Sequence, residues 1–268
     1  MPAQAKVDLF YNAYAHFEAD VLAAVRAETY GTDIGQNSWL TADEYEALTG
    51  WLGLDEHSHV LEVASGSGGP ALHLARKYSC RVTGVDVNAF GVATAERSAA
   101  QFGMAQRVKF KVADASTRLP FPDRHFDGLV CIDSMNHFPD RLQTFQEWRR
   151  VLSTGARAVF TDPVVITGPV TSEELAQRSS IGLFVFAPRS VNEELIVKAG
   201  FKIVSQLDVT ENAALVSRRW REARQRFRDQ LQDIEGQERF EGVQKFLGAV
   251  NQLTRERRLS RIAYLVEK

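Results

Sequence analysis

The chain has 268 residues, 44% hydrophobic and 25% charged, and 32 basic against 34 acidic residues leave a formal net charge of −2. This is the composition of an ordinary globular protein, and its near-neutral balance argues against nucleic acid or an anionic membrane as the main partner. The length allows one large domain or two small ones. Cys80 and Cys131 both lie in apolar, strand-like text. They read as small buried hydrophobes in a reducing compartment, not as a disulfide or a metal site. No run reaches the ~18 apolar residues of a membrane span, and no basic-then-apolar signal opens the chain, so a cytoplasmic location is expected.

Residues 1–57 read as helical, with Val7, Phe10, Tyr11, Tyr14, Phe17, Val21 and Leu22 near helical spacing. A turn-rich stretch covers 30–39, and Thr41 with Glu44 forms a capping-box pattern opening a helix through Leu52. From His59 strands and helices alternate. Strands are predicted at His59–Val63, Arg81–Val85, Arg107–Val112, Phe126–Ile132 and Ala156–Thr161. Helices are predicted at Pro70–Tyr78, Ala89–Phe102 and Leu142–Leu152. Ser190 caps a further helix to Lys198, stopped by Gly200, and Phe201–Val209 and Leu259–Val266 are the last strands. The alternation predicts an α/β fold, a mostly parallel sheet with helices on both faces. Two segments interrupt it: an irregular insertion at 163–189 and a helical one at 212–258. In the second, Val216, Trp220, Ala223, Phe227, Leu231 and Ile234 form one apolar helix face, and an arginine run from Arg218 to Arg228 reads as a solvated face.

The most informative text is the glycine-rich turn Ala64-Ser65-Gly66-Ser67-Gly68-Gly69-Pro70 between the first strand and its helix. Such a turn lets a ligand approach the backbone and the open N–H groups of the helix start. Alone it is equally a plain tight turn, or a dinucleotide fingerprint with Asp86 at the matching distance. Three acids sharpen the reading. Glu62 precedes the turn, Asp86 ends the second strand and Asp114 follows the third. A carboxylate at these places suits an ammonium group, ribose hydroxyls and an exocyclic adenine amine, which together describe an amino-acid-bearing adenosine. All lie at the carboxyl edge, where open parallel sheets bind ligands.

Val60 to Gly69, Gly84-Val85-Asp86, Ala113-Asp114-Ala115 and Phe126 to Val130 together resemble the ordered motif set of class I S-adenosylmethionine-dependent methyltransferases. The likeness extends to small-molecule O- and N-methyltransferases of the rebeccamycin sugar, phosphoethanolamine and sarcosine/dimethylglycine types. It implies a Rossmann-like seven-stranded sheet with an antiparallel last strand. The core would be 59–209 plus 259–268, capped by 1–57, 163–189 and 212–258 within one domain. Ala64 departs from the glycine usual there. By this resemblance Glu62 and the loop Ala64, Ser65, Gly66 to Gly68 hold the methionine part, Gln36 and Ser38 touch its end, Asp86 with Val87 and Asn88 holds the ribose, and Asp114 and Ala115 bind the adenine. Asp133 either lines the floor beneath the sulfonium or caps a helix.

The reaction implied is in-line methyl transfer to an oxygen, nitrogen or carbon of a small molecule, leaving S-adenosylhomocysteine. His137 and Asp162, past the fourth and fifth strands, are the candidate bases; each could instead be a packing or capping residue. The other histidines lack such context. Tyr11, Tyr14, Phe184 and Phe186 are candidate substrate walls, or plain core. No metal is expected, and a homodimer is left open. A nicotinamide-dependent oxidoreductase and a non-catalytic scaffold of the same fold are the other readings.

Overall fold

The computed structural model describes residue 14 and residues 16–268. Helices α1 (Asp20–Tyr30) and α2 (Ala42–Gly50) precede the sheet; most of the earlier predicted helical stretch, Tyr11 included, lies outside the described residues. Thr41 caps α2 as expected, its hydroxyl accepting from the Glu44 N–H at 3.3 Å. The reciprocal half of the capping box does not form. The Glu44 carboxylate instead accepts from Arg261 Nη1 at 2.7 Å, a charge-assisted bond roughly twice as strong as one between neutral groups.

The core then runs β1 (His59–Val63), α3 (Gly69–Tyr78), β2 (Arg81–Asp86), α4 (Ala89–Gln101), β3 (Val108–Val112), β4 (Phe126–Cys131), α5 (Arg141–Val151) and β5 (Leu152–Ile166). It continues through α6 (Ser172–Arg178), β6 (Ala187–Pro188), α7 (Val191–Lys198), β7 (Lys202–Asp208), α8 (Thr210–Arg226), α9 (Arg228–Glu235), α10 (Gln237–Arg255) and β8 (Leu259–Glu267). Strand order is β3-β2-β1-β4-β5-β8-β7, with the two-residue β6 beside β5. The first five strands are parallel to one another, and β8 is antiparallel to both β5 and β7. The expected mostly parallel sheet with an antiparallel last strand is therefore present.

Side-chain alternation builds a core on each face. Val60, Val82, Val130 and Val159 join one apolar cluster, and Leu61, Val85, Leu129 and Phe160 the other. That two-sided burial is why the strand text is almost uninterruptedly apolar. The chain leaves β1 toward β2 and β3, then returns to β4 on the opposite side. The carboxyl ends of β1 and β4 thus flank a topological switch point, the place where such sheets open a crevice.

Three expectations need correction. The fifth strand is far longer than Ala156–Thr161 and runs into the segment read as irregular; Pro163 is tolerated because the register shifts between Asp162 and Val165, where a ladder bond is already absent. The rest of that segment holds α6, with a complete Thr171/Glu174 capping box. Ser190 sits at φ +76 and makes no side-chain cap, although Gly200 (φ +88) does end the helix region. Arg224 leaves the solvated arginine face: it is 2% exposed and paired with Glu235.

The helical insertion buries most of the expected face, but the helix breaks at Phe227 and Ile234 is left exposed. Val216, Trp220, Ala223 and Leu231 meet Phe240 and Val243, and α1 adds Val21 and Val25, forming a third apolar cluster. Cys80 and Cys131 are buried free thiols. Among the described residues no helix is long and apolar enough to cross a membrane.

Candidate active site

A cavity of about 530 Å³ opens over the carboxyl ends of β1, β2, β3 and β4. It lies at the switch point and has the size of a cofactor pocket. β1 supplies Glu62 and the turn after it Ala64, Ser65 and Gly66 to its wall; β2 ends in Asp86, followed by Val87 and Asn88. Asp114 and Ala115 follow β3, Asp133 follows β4, and His137 comes from the short 3-10 turn Met135–His137. From outside the core, Tyr14, Asn37 and Ser38 close the cavity.

The glycine turn is shaped by crowding. Gly66 has φ +52, and a Cβ there would run into the Tyr14 phenol. Gly68 does not reach the cavity. Its role is packing: at φ +77 it starts α3, with the Phe110 ring 2.5 Å from where a Cβ would stand. Ala64 also has positive φ, +58. The residue that departs from the family's glycine is thus the one whose backbone favours glycine.

Glu62 is 4% exposed, and its Oε2 has no hydrogen-bond partner among the described residues. Oε1 accepts only a long bond from the Tyr45 hydroxyl, 3.4 Å. Burial, with the nearby Asp86 charge, pushes the Glu62 carboxyl up to about 8 against the pull of Tyr45. Asp86 accepts from the N–H groups of Gly66 and Asn88, each at 2.8 Å, which fixes its carboxylate at the cavity edge; burial raises it too. Asn88 caps α4, accepting from Phe90 N at 3.0 Å and Gly91 N at 3.1 Å. Asp114 folds its Oδ1 onto Ser116 N at 2.8 Å, an Asx turn on the exposed rim.

Asp133 anchors the floor. It has φ +53. Its Oδ1 accepts from Thr161 Oγ1 (2.7 Å) and Arg261 Nε (2.6 Å), its Oδ2 from Trp39 N (2.8 Å). The helix-cap alternative does not hold: α5 is capped by Asp140, which accepts from Gln143 N at 2.9 Å.

His137 donates from Nδ1 to the Leu183 carbonyl at 3.0 Å, since a carbonyl only accepts. Its Nε2, 3.1 Å from Asn136 Nδ2, is then the lone-pair nitrogen. Burial lowers its pKa, keeping the ring neutral. Asp162 is a correction. It is 0% exposed, away from the cavity, and paired with Arg141. It also accepts from Asn192 Nδ2 at 2.8 Å and Val164 N at 3.1 Å. A carboxylate so enclosed positions α5 and α7 against β5 and has no path to an acceptor proton.

Gln36 is a second correction: it folds onto its own loop, accepting from Ile34 N (2.8 Å) and donating to Thr32 O (3.2 Å), and does not reach the cavity. Phe184 packs edge-on against His137 at 5.0 Å and lines a smaller adjoining pocket. Phe186 touches Phe184 at 6.3 Å but lines neither space. Of the histidines without context, His73 bonds Glu46 at 2.9 Å and His59 bonds Thr83 at 2.8 Å, both structural contacts. Sequence reasoning missed Asn37, Arg178 and Arg261. A charge within the apolar run of β8 was the one available signal for Arg261; its partners lie too far along the chain to suggest themselves.

Three buried polar atoms on this one cavity wall have no hydrogen-bond partner among the described residues, Ser38 Oγ, Glu62 Oε2 and Ser65 Oγ, and the Asn37 amide beside them bonds the Tyr14 phenol. Carboxylate, amide and hydroxyls together fit the ammonium and carboxylate ends of an amino acid, with acids at β2 and β3 for a nucleoside. The fold and this site define a Rossmann-like protein whose cavity fits a nucleoside carrying a whole amino acid. A model of the methyltransferase domain matches residues 60–155. The 27-O-demethylrifamycin SV methyltransferase of Amycolatopsis mediterranei (strain S699) is 32% identical over 197 residues, 71% of each chain. The O-methyltransferase resE of Aspergillus sclerotiorum is 28% identical, covering 79% of this chain and 81% of its own. Among solved structures, the phosphoethanolamine N-methyltransferase 2 of Haemonchus contortus with S-adenosylhomocysteine has a TM-score of 0.80 at 20% identity, over 98% of this chain and 61% of its own. The chain belongs to the class I S-adenosylmethionine-dependent methyltransferases, enzymes that move a sulfonium methyl to a small-molecule acceptor. Nothing in these likenesses favours the nicotinamide or scaffold readings.

Proposed function

We propose that this enzyme methylates an oxygen of a small molecule taken from the cytoplasm. The two curated relatives named above are O-methyltransferases, and two free buried thiols suit a reducing compartment. The observation that carries the cofactor assignment is the convergence on one cavity wall of three buried polar atoms that have no partner among the described residues. Glu62 takes the ammonium of the methionine part, while Asn37, Ser38 and Ser65 serve its polar end. Asp86 holds the ribose beside Val87 and Asn88, and Asp114 and Ala115 hold the adenine. The core 59–209 with 259–268 acts as one domain with its cap.

The bound cofactor supplies the electrophilic methyl group. The protein's part is alignment, which contributes ~7–11 kcal/mol in the best cases. Asp133, fixed by Trp39, Thr161 and Arg261, forms the floor beside the reacting centre. Tyr14 closes the cofactor side, and Phe184 borders the acceptor side. His137 Nε2 is the lone pair placed to receive a hydroxyl proton once it lets go of Asn136. Thermal unfolding with ligand tests the core of this reading. S-adenosylhomocysteine at 100 times its dissociation constant adds ~2.7 kcal/mol of stability, and NAD adds nothing. No shift with S-adenosylhomocysteine would overturn it.

A further inference from the structure

Four arginines are buried among the described residues: Arg141, Arg178, Arg224 and Arg261. Arg141 pairs with Asp162, Arg224 with Glu235, and Arg261 with Asp133 and Glu44. Arg178, the last residue of α6, is the exception. It is 2% exposed, and its Nη1 has no hydrogen-bond partner among the described residues. Burial pushes its pKa down to about 9; Asp133 and Asp162 favour its charge from a distance, but each is held by another arginine. Its near neighbours are rings: Trp39 at 5.7 Å, Phe184 at 4.9 Å and Phe246 at 5.2 Å from the guanidinium carbon. Rings attract the cation through their faces but offer no acceptor to its in-plane N–H donors. A buried guanidinium without an acceptor is costly, and such a group calls for a reason.

Its location supplies one. Arg178 lines the small pocket that also holds Trp39, Phe184 and Phe246, and that pocket shares Asn37, Ser38, Asp133 and His137 with the cofactor cavity. We infer that Arg178 binds an anionic oxygen of the methyl acceptor, a carboxylate or an ionised hydroxyl: its own pocket, about 20 Å³, takes that one group, and the flat skeleton behind it lies in the adjoining cavity of about 530 Å³. The guanidinium fork matches a carboxylate with two parallel hydrogen bonds, and a water-poor pocket strengthens them. This rests on the adjoining cavity being the cofactor site.

The test uses the full chain saturated with S-adenosylhomocysteine and three acids, benzoate, salicylate and cinnamate, each against its neutral amide, by calorimetry. At least one acid is expected to bind about tenfold more tightly than its amide. Arg178→Met should erase that preference with S-adenosylhomocysteine affinity unchanged, and Arg178→Lys should keep part of it. Arg178→Met should also raise the melting temperature, because an unpaired buried charge is replaced by a methionine of similar length. The inference is overturned if no acid exceeds its amide, if the preference survives Arg178→Met, or if that variant melts lower, as a purely structural brace would. Failure of the cofactor reading shows separately, as absent S-adenosylhomocysteine binding in the wild-type chain; the acid and amide comparison on ligand-free protein then still judges Arg178.

Discussion

Arg261 Nε donates to Asp133 Oδ1 at 2.6 Å, joining β8 to the end of β4 across 128 positions of sequence. Its Nη1 reaches Glu44 in α2. Burial works against the Arg261 charge, but the two carboxylates outweigh it and hold its pKa above the usual value. Replacing Arg261 by Met leaves Asp133 and Glu44 buried without their counter-ion. The expected loss is about 3–5 kcal/mol in urea unfolding. Burial already raises Glu44, so the loss should shrink in mild acid, where that carboxyl protonates. An unchanged midpoint would show that the network contributes nothing.

Glu62 makes cofactor affinity depend on pH. In the ligand-free fold burial raises it to about 8 from 4.5. A raised carboxyl contributes most to stability below 4.5, and that contribution is lost as pH climbs through the folded value. An ammonium ligand needs the ionised form, so below about 8 binding must release a proton. S-adenosylhomocysteine should therefore bind more tightly as pH rises from about 6 to about 8, by at most about tenfold per unit. Glu62→Gln should flatten the profile. Calorimetry in buffers of different ionisation enthalpy reads the proton directly.

Asp86→Ala should weaken S-adenosylhomocysteine by roughly 1.5–3 kcal/mol, the usual worth of hydrogen bonds to a charged group. Asp86→Asn should lose less, since its one amide oxygen can still receive either the Gly66 or the Asn88 N–H, though not both as the carboxylate does. Equal binding by wild type and the alanine variant would remove the ribose role.

Ala64→Gly should stabilise the protein. The left-handed conformation costs a non-glycine residue roughly 1–2 kcal/mol, and glycine's extra freedom in the unfolded chain returns roughly 0.5–1 of it. A net gain of up to about 1 kcal/mol is expected by thermal unfolding. A lower melting temperature would mean that the alanine methyl packs usefully against the turn.

His137 and Asp162 should separate cleanly. His137→Ala should slow transfer of labelled methyl to a small-molecule extract by about 10², with cofactor affinity kept. Asp162→Asn should leave transfer per folded molecule near wild type while costing about 3–5 kcal/mol of stability, because Arg141 loses its charge partner. The opposite pattern would restore Asp162 as the base.

The cofactor half was legible because its determinants are local. Glu62, Ala64 and Gly66 are neighbours in one strand and turn, and Asp86 and Asp114 each follow a strand whose apolar text announces it. Parallel topology then brings the strand ends together automatically. Asp162 misled for the same reason in reverse: its position after a strand was readable, but Arg141 and Asn192, which enclose it, come from α5 and α7. Gln36 was placed in the right loop, yet which residue of that loop faces the cavity depends on hydrogen bonds inside the turn. The acceptor half stayed hidden because Arg178 acquires its meaning only from rings brought in by α10, the Trp39 loop and the segment before β6.

Glu44 and Arg261 touch although 217 positions separate them. During synthesis the glycine turn and its first three strands emerge early and are free to pair. The cavity floor must wait until residue 261 has left the ribosome, because until then Asp133 and Glu44 face each other without a cation. Late-closing contacts of such span slow folding and leave apolar strand edges open in the interval. The nascent enzyme should acquire cofactor affinity only as its final strand slots between β5 and β7, so a stalled chain that already carries every cofactor motif should bind poorly.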